Sequence, residues 1–477
     1  MDDKAKTNWN RLDVDIRHEG RAITLPGDPD KMPIDKAVEA LLRKQADEEQ
    51  IFEVFEIIDA YPFDAAVACT KAMINLYGWA SPQTEITKSM FGVQKNPPIM
   101  LAVKTGLADD DVVQCPLGAF KLPGVDEMVK TLIDQVAPGK LGFVITGKVK
   151  KRSKHIVLEL ATETRRIVKE QSIYRGKAIR LGVDDDGSLD VNNPPAFLDV
   201  REKDDLVFDH DIQAQIDTSI LTPILHTKAV RAARIPLKRT ILLEGPYGTG
   251  KSLTARMAAR VCEENGWTFI LLDRVQGLRA ALEFANRYSP AVVFAEDIDR
   301  VSEVRDEDAN DLINMIDGVL SKRSEIMTIL TTNFAEKIDQ AMIRPGRLDA
   351  VISLRAPTDE AVQRLIRVYA GALLPADTDV SQAAKELSGQ IPASIRECVE
   401  RAKLGMIGRG ADKLADSDLV VSAQTMKNHL KLLNREAKQP SVGERLVESL
   451  QEAVFNGKGE VITNIETKVE ELHNRIM

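Results

Sequence analysis

Apolar positions along this chain change their spacing several times, and each change predicts an element. From Ile34 to about Ala60 they recur at helical intervals, through Ala37, Leu41 and Leu42 and on to Ile51, Val54, Phe55 and Ile58. A second helix is expected over Phe63 to Tyr77, stopped by Gly78. Between Pro97 and Leu122, short apolar runs alternate with Gly, Pro and an Asp triplet, which predicts a β-hairpin or small sheet. Val125 to Val136 reads as a helix ending before Pro138 and Gly139, Leu141 to Ile145 as a strand, and Ile156 to Gln171 as a helix. The first 200 residues are therefore expected to form one mixed α/β domain. Ahead of these elements, a polar stretch punctuated by Pro26, Gly27 and Pro29 reads as an extended arm.

Farther along, the apolar runs become continuous. Ile241-Leu242-Leu243, Ala291 to Ala295 and Ile326 to Leu330 have the character of strands buried on both faces of a parallel sheet. After Pro357 the period is helical again, over Asp359 to Ala370, Ser381 to Leu387, Ser394 to Gly405 and Ala423 to Asn434. Past Pro440, Ile462, Ile465, Val469, Leu472 and Ile476 alternate three and four apart, as a helical seam does. So short a seam is favoured as a helix packed on its own assembly rather than a free coiled coil.

Composition narrows the class. A 477-residue chain with 44% hydrophobic and 29% charged residues is a multidomain globular protein. Its net charge of −9 argues against broad nucleic-acid binding, which favours a basic balance. Cys69, Cys115, Cys262 and Cys398 are too far apart for a zinc or redox motif and read as buried apolar groups. No run of roughly 18 apolar residues is present to span a bilayer, and the N-terminal sequence has no leader pattern. No membrane partner and a cytoplasmic location are the expectations.

The chemistry is concentrated after the first continuous strand. Gly245-Pro246-Tyr247-Gly248-Thr249-Gly250-Lys251-Ser252 follows the pattern G-x-x-x-x-G-K-[ST] between a strand and a helix. Glycines let several backbone N–H groups converge on one anion, Lys251 brings a charge to the β- and γ-phosphates, and the helix N-terminus adds its dipole. Gly245 through Ser252, with Leu253 on the following helix, form the expected nucleotide-binding set, and the Ser252 hydroxyl suits Mg²⁺. The next apolar strand ends in Glu296 and Asp297, one carboxylate for the Mg²⁺ shell and its neighbour for the attacking water. A third strand ends at Asn333, suited to holding water against a γ-phosphate. Arg344 and Arg347 then offer two planar cations for phosphate charge.

Gly-Pro-Tyr-Gly-Thr-Gly-Lys-Ser, Phe-Ala-Glu-Asp-Ile-Asp, Leu-Thr-Thr-Asn and Arg-Pro-Gly-Arg-Leu-Asp stand in the order seen in AAA ATPases. The chain resembles that family from about Leu206 to Lys403. The resemblance implies ATP and Mg²⁺ as ligands, Asn333 as sensor 1, and Arg344 and Arg347 as paired arginine fingers acting from a neighbouring subunit. It implies a ring homo-oligomer, usually a hexamer, acting on a protein partner selected by the N-terminal domain. The fold expected is α/β: a P-loop-type parallel sheet flanked by helices, with a helical lid and a separate N-terminal mixed α/β domain. The segments are 1–200, 201–356 for the large ATPase subdomain, 357–437 for the lid and 438–477 for a helical tail.

Three departures from the family pattern qualify this. Glu296 precedes Asp297, where the family places Asp before Glu, which moves each carboxylate by one methylene. Asp297 is then the expected base, and Glu296, with Ser252, the expected metal ligand. Asp273 to Gly277 is short and lacks the aromatic residue with which threading members grip a chain, so the first 200 residues are expected to transmit work by rigid-body motion and to be dispensable for basal ATP hydrolysis. Ile391 to Arg396 departs from the usual lid motif, leaving Arg396 either a sensor-2 arginine or a surface helix arginine.

Two other segments carry weaker signals. Gly147 to His155 is the strongest basic cluster, read either as a phosphate or nucleic-acid contact or, with more weight, as a solvated loop beside acidic surface. Asp184-Asp185-Asp186-Gly187 lacks a calcium loop's ligand spacing and reads as a hairpin turn. Beside the partner-remodelling ATPase stand two rivals: a nucleic-acid-associated ATPase and a slow, nucleotide-switched assembly scaffold.

Overall fold

A computed structural model of the chain describes residues 15–18, 21–24, 34–89, 92–137, 140–184, 187, 189, 194–201, 206–272, 274–298, 324–333 and 348–437. They fall into two compact units, Met1–Leu206 with His210–Arg355, and Val207–Asp209 with Ala356–Met477. Most of the expected N-terminal arm and all of the tail from 438 lie outside the described residues. Within the arm's span, β1 (Asp15–His18) pairs antiparallel with β2 (Arg21–Thr24).

The first part of unit 1 begins with α1 (Ile34–Glu48) and β3 (Ile51–Ile58). The expected helix to Ala60 is therefore two elements. Val54 and Ile58 stand four apart as on a helix, but they are also on one face of a strand. Pairing of all eight β3 residues with a distant strand settles the ambiguity. Helix α2 (Pro62–Tyr77) follows as expected, with Pro62 in its first turn and Gly78 at φ 76° closing its C-terminus. After β4 (Glu85–Ser89) and β5 (Gly92–Asn96), β6 (Ile99–Lys104) and β7 (Val112–Phe120) form the expected hairpin.

The expected helix over Val125 to Val136 is instead β8 (Val129–Ala137), paired with β9 (Lys140–Lys150). Val129, Ile133 and Val136 mimic a helical stripe, yet Val129, Thr131 and Ile133 alternate, and cross-strand pairing decides between the two periods. The sheet runs β3-β9-β8-β7-β6, all antiparallel. It buries Val54, Ile58, Phe143, Ile145 and Val149 against α2 and α3 (Lys154–Gln171).

The second sheet of unit 1 has seven strands. It includes β10 (Ala178–Leu181) and β11 (Ala196–Phe197), which precede the expected border at residue 200. Helices α4 (His210–Ile216), α5 (Thr222–Leu225) and α6 (Thr227–Ala232) lead to β12 (Arg239–Glu244) and α7 (Lys251–Glu264). Then come β13 (Thr268–Leu272), α8 (Leu278–Arg287), β14 (Ala291–Ala295), β15 (Ile326–Thr332) and β16 (Ala350–Ser353). The strand order is β11-β10-β13-β14-β15-β12-β16, parallel apart from β11. Every residue of β14 and β15 is buried, as strands covered on both faces require.

The two sheets of unit 1 share a core. Tyr61 meets Phe284 edge-on at 5.7 Å, Tyr174 meets Phe284 at 5.9 Å, and Phe284 and Tyr288 lie 4.6 Å apart. The antiparallel domain is a separate sheet, but its apolar interior runs on into that of the parallel sheet without a break. That continuity weighs against the expectation that residues 1–200 move as a hinged body and can be removed without cost.

Unit 2 is helical at the predicted places: Asp359–Ala370, Ser381–Glu386, Pro392–Gly408 and Asp416–Ala437. Val362, Leu365, Ile395, Cys398, Val399 and Leu419 form its core. Thr358 caps its first helix and donates its hydroxyl to Asp209 at 2.6 Å, tying residues 207–209 to this unit.

Candidate nucleotide site

The phosphate loop owes its shape to its glycines and to the strands beside it. Gly245 has φ 149°, its N–H donates to Thr332 O at 3.2 Å, and an added Cβ would run into the Leu354 carbonyl oxygen. Gly248 and Gly250, at φ 80° and 108°, turn the chain into α7. Thr249 donates its hydroxyl to Pro246 O at 2.9 Å, fixing the loop's curl. Tyr247 is exposed, and Leu253 is half-buried on the first turn of α7.

Lys251 is buried, and its ammonium donates to Gly245 O at 2.6 Å, Pro246 O at 3.0 Å and Asn333 Oδ1 at 2.8 Å. It also stands 5.8 Å from the centre of the Tyr247 ring. Asn333 in turn donates from Nδ2 to Asp297 Oδ1 at 2.9 Å. Asp297 takes a left-handed backbone at φ 50°, and its N–H donates to Thr331 Oγ1 at 3.0 Å. The neighbouring Glu296 accepts from the Ser252 hydroxyl at 2.6 Å. The Lys251–Asn333–Asp297 chain and the Ser252–Glu296 pair thus lie side by side at the carboxyl ends of β14, β15 and β12, which are adjacent in the sheet. Ligands of open parallel sheets bind at this end.

The structure brings together every predicted site residue except two: Arg344 and Arg347 lie outside the described residues. Sequence reasoning missed Thr331 as the support for the Asp297 backbone. Its signal was the Thr-Thr-Asn at the end of an otherwise apolar strand.

Other predicted features resolve more plainly. The basic segment is paired with acids: Lys150 lies 2.5 Å from Glu49 and 3.3 Å from Asp126, Arg152 lies 2.8 Å from Glu49 and 2.5 Å from Asp126, and Lys151 pairs with Asp47. Hydrogen bonds from Lys150 and Arg152 hold the Glu49 and Asp126 carboxyls below their ordinary range. These three cations are paired with acids, as the reading beside acidic surface expects, but the segment is not a loop: it runs from the end of β9 through a 3₁₀ turn at Lys151–Ser153 into α3.

Asp273 lies outside the described residues, and Arg274 leads into a 3₁₀ turn at Val275–Gly277, where Val275 and Gly277 are buried. Phe284 and Tyr288 are in the core, in keeping with their spacing. Gly187 N donates to Asp184 O at 2.9 Å with Val183 bridging Leu189, a hairpin turn. Arg396 stands 3.5 Å from Glu400 and over the Tyr369 ring at 5.7 Å. The four cysteines are free and buried. Among the described residues no helix is long and apolar enough to cross a membrane.

Residues 241–356 match the model of the ATPase family associated with various cellular activities (AAA). This chain carries an AAA domain. The match begins in β12 and ends just past β16, so it spans the phosphate loop, both carboxylates, Asn333 and the two arginines. It supports an ATPase of the AAA class, with nucleotide as its ligand. The antiparallel sheet domain and the helices beyond residue 356 lie outside the match.

Proposed function

We propose that this protein is an oligomeric AAA ATPase that uses ATP hydrolysis to rearrange a protein partner. The observation that carries the hydrolytic reading is the Lys251–Asn333–Asp297 chain beside the Ser252–Glu296 pair at the phosphate loop. ATP phosphates would take the N–H groups of the loop, and the Lys251 ammonium would exchange its carbonyl contacts for phosphate oxygens. Asp297 accepts a proton from the attacking water, whose oxygen forms the bond to the γ-phosphorus. The bond to the bridging oxygen breaks, and ADP leaves with that electron pair. Asn333, held to Asp297 at 2.9 Å, orients the water. Ser252 and Glu296 make a hard-oxygen pair suited to Mg²⁺, which when bound would neutralise charge on the β- and γ-phosphates.

Arg344 and Arg347 would complete the site from a neighbouring subunit of a ring, most simply a hexamer. The test mixes Arg347→Ala subunits with Lys251→Ala subunits, each inactive alone. Activity should return in mixed rings, because some boundaries join an intact phosphate loop to an intact arginine. A flat zero at all ratios, with mixed rings shown to form, would count against shared sites.

The short, aromatic-free segment after β13 favours work without threading. A stably folded fluorescent protein fused to a natural partner should keep its fluorescence while ATP is hydrolysed. A second reading, a slow nucleotide-switched scaffold, is favoured by the shorter reach of Asp297. Turnover far below the usual median of about 10 s⁻¹, with ATP-dependent oligomerisation, would select it.

A further inference from the structure

Three successive carbonyl groups from the end of α8 towards β14 are held from outside, two directly by one turn of the first domain and one through Thr268 of β13. Arg175 donates from Nη2 to Arg287 O at 2.8 Å and from Nη1 to Ser289 O at 2.7 Å. Between them, Tyr288 O accepts the Thr268 hydroxyl at 2.7 Å, and that hydroxyl accepts Gly176 N–H at 3.0 Å. The guanidinium also stands 5.9 Å from the centre of the Tyr288 ring. A cation at the end of a helix is favoured by its dipole, and Arg287 O is the last helical carbonyl of α8.

The turn that supplies these groups is itself fixed by a buried carboxylate. Asp64, on α2, accepts the Ser172 hydroxyl at 2.7 Å and Ile173 N–H at 3.0 Å. Tyr288 closes the circuit by accepting Tyr61 N–H at 2.9 Å on its hydroxyl. Ser289 is two residues ahead of β14, and β14 ends next to Glu296 and Asp297. Those carboxylates follow the C-terminal end of a strand whose N-terminal end is clamped by Arg175 and whose sides are paired with β13 and β15.

We propose that Arg175 is a positioning residue for the ATPase site, setting the placement of β14 and thereby of Glu296 and Asp297. The first domain then belongs to the catalytic apparatus as its rear anchor. This rests on the ATPase reading above. Arg175 touches no nucleotide-site residue, so its loss should affect the carboxylates and not the phosphate loop, which is built from β12 and α7.

The test uses full-length protein with Arg175→Gln, which cannot hold both carbonyls, and Arg175→Lys, which keeps the charge. Binding-competent sites are counted by titration with a non-hydrolysable ATP analogue, in Mg²⁺ and in EDTA. Expected for Arg175→Gln is analogue affinity in EDTA within about twofold of wild type, with kcat per competent site down about tenfold. Lysine, a point donor without the fork, should restore part of that loss. A merely structural role would lower the number of competent sites and leave kcat per site unchanged, and that result overturns the proposal. Should Arg175→Gln not fold, Thr268→Val removes the other arm of the clamp with little change of shape. Wild-type kcat per site there overturns the proposal equally. If the wild type itself does not hydrolyse ATP, the ATPase reading fails, and the affinity gained from Mg²⁺ decides this one. A smaller gain in Arg175→Gln supports it, and an unchanged gain sinks it.

Discussion

Ser252 donates its hydroxyl to Glu296 across 2.6 Å, while the adjacent Asp297 is held by Asn333 at 2.9 Å. The longer carboxylate faces the residue expected to ligate Mg²⁺, and the shorter one faces the amide proposed to orient water. Each carboxylate therefore has its own partner, and the two substitutions should separate. Asp297→Asn should keep ATP binding and lower kcat by about 10²-fold or more, since an amide is a poor proton acceptor. Glu296→Gln should shift the Mg²⁺ dependence to higher concentration. Normal turnover in Asp297→Asn with none in Glu296→Gln would reverse the assignment. Both are read from ATPase rates across a Mg²⁺ titration.

Lys251 makes three hydrogen bonds to protein oxygens within 3.0 Å, which keep an ammonium group tolerable in a buried place. Phosphate oxygens would take over that role. Lys251→Ala should weaken ATP binding by about 10- to 100-fold, the usual worth of a hydrogen bond to a charged group. Binding of a fluorescent ATP analogue checks this, and an unchanged Kd would remove Lys251 from the site.

Gly245 has no room for a side chain. Its φ of 149° and the Leu354 carbonyl both oppose a Cβ, and Leu354 N–H also donates to Glu244 O at 2.7 Å. Gly245→Ala should cost about 1–3 kcal/mol of stability, the usual range for overpacking, and impair nucleotide binding more than substitutions in the helical unit. Denaturant titration with and without nucleotide reads both effects. Wild-type stability would mean that β16 can yield.

Removing residues 1–200 should not leave a working ATPase. The cut takes away β10, whose Ala178 to Leu181 pair with Phe269 to Leu272, and uncovers Phe284 and Tyr288. Aromatic side chains bury about 150–250 Å² each, so the exposed patch would cost several kcal/mol, on the order of 25 cal/mol per Å². The truncated chain should aggregate or fail to bind nucleotide, whereas a cut before Ile34 should be tolerated. Size-exclusion chromatography with analogue binding makes the comparison. A monodisperse, active 201–477 fragment would show that the shared core is dispensable.

The shared core could not be read from the sequence, and the reason is distance along the chain. The phosphate loop, the strand-end carboxylates and Asn333 were legible because each is a local pattern whose chemistry dictates its residue types. The helices of the second unit and α2 were legible because their apolar period is regular and Pro62 and Gly78 mark the ends of α2. Strands β3 and β8 were misread because Val54 with Ile58, and Val129 with Ile133, satisfy both periods, and only pairing with β9 decides. The joining of β10 to the parallel sheet depends on a partner strand some ninety residues later, at Phe269. The clamp is remoter still, linking Asp64 with Ser172 and Arg175 with Ser289 over separations of 108 and 114 residues.

Asp64 gives the clamp a pH signature. Burial raises its pKa above the ordinary value, against the opposing pull of the Ile173 N–H, the Ser172 hydroxyl and Tyr288. An acid with a raised folded-state pKa holds its proton more tightly when folded than when unfolded. Its contribution is therefore full below the unfolded value of about 3.9 and is lost as pH rises through the folded value. Wild-type stability should fall relative to Asp64→Asn over that window and run parallel to it above. The amide keeps a neutral, hydrogen-bonding group in the pocket but cannot ionise, so the two proteins differ in proton linkage. Urea titrations of both at a series of pH values give the difference directly. Parallel profiles from pH 4 upward would mean that the carboxyl is ionised in the folded protein throughout, with the three donors outweighing its burial.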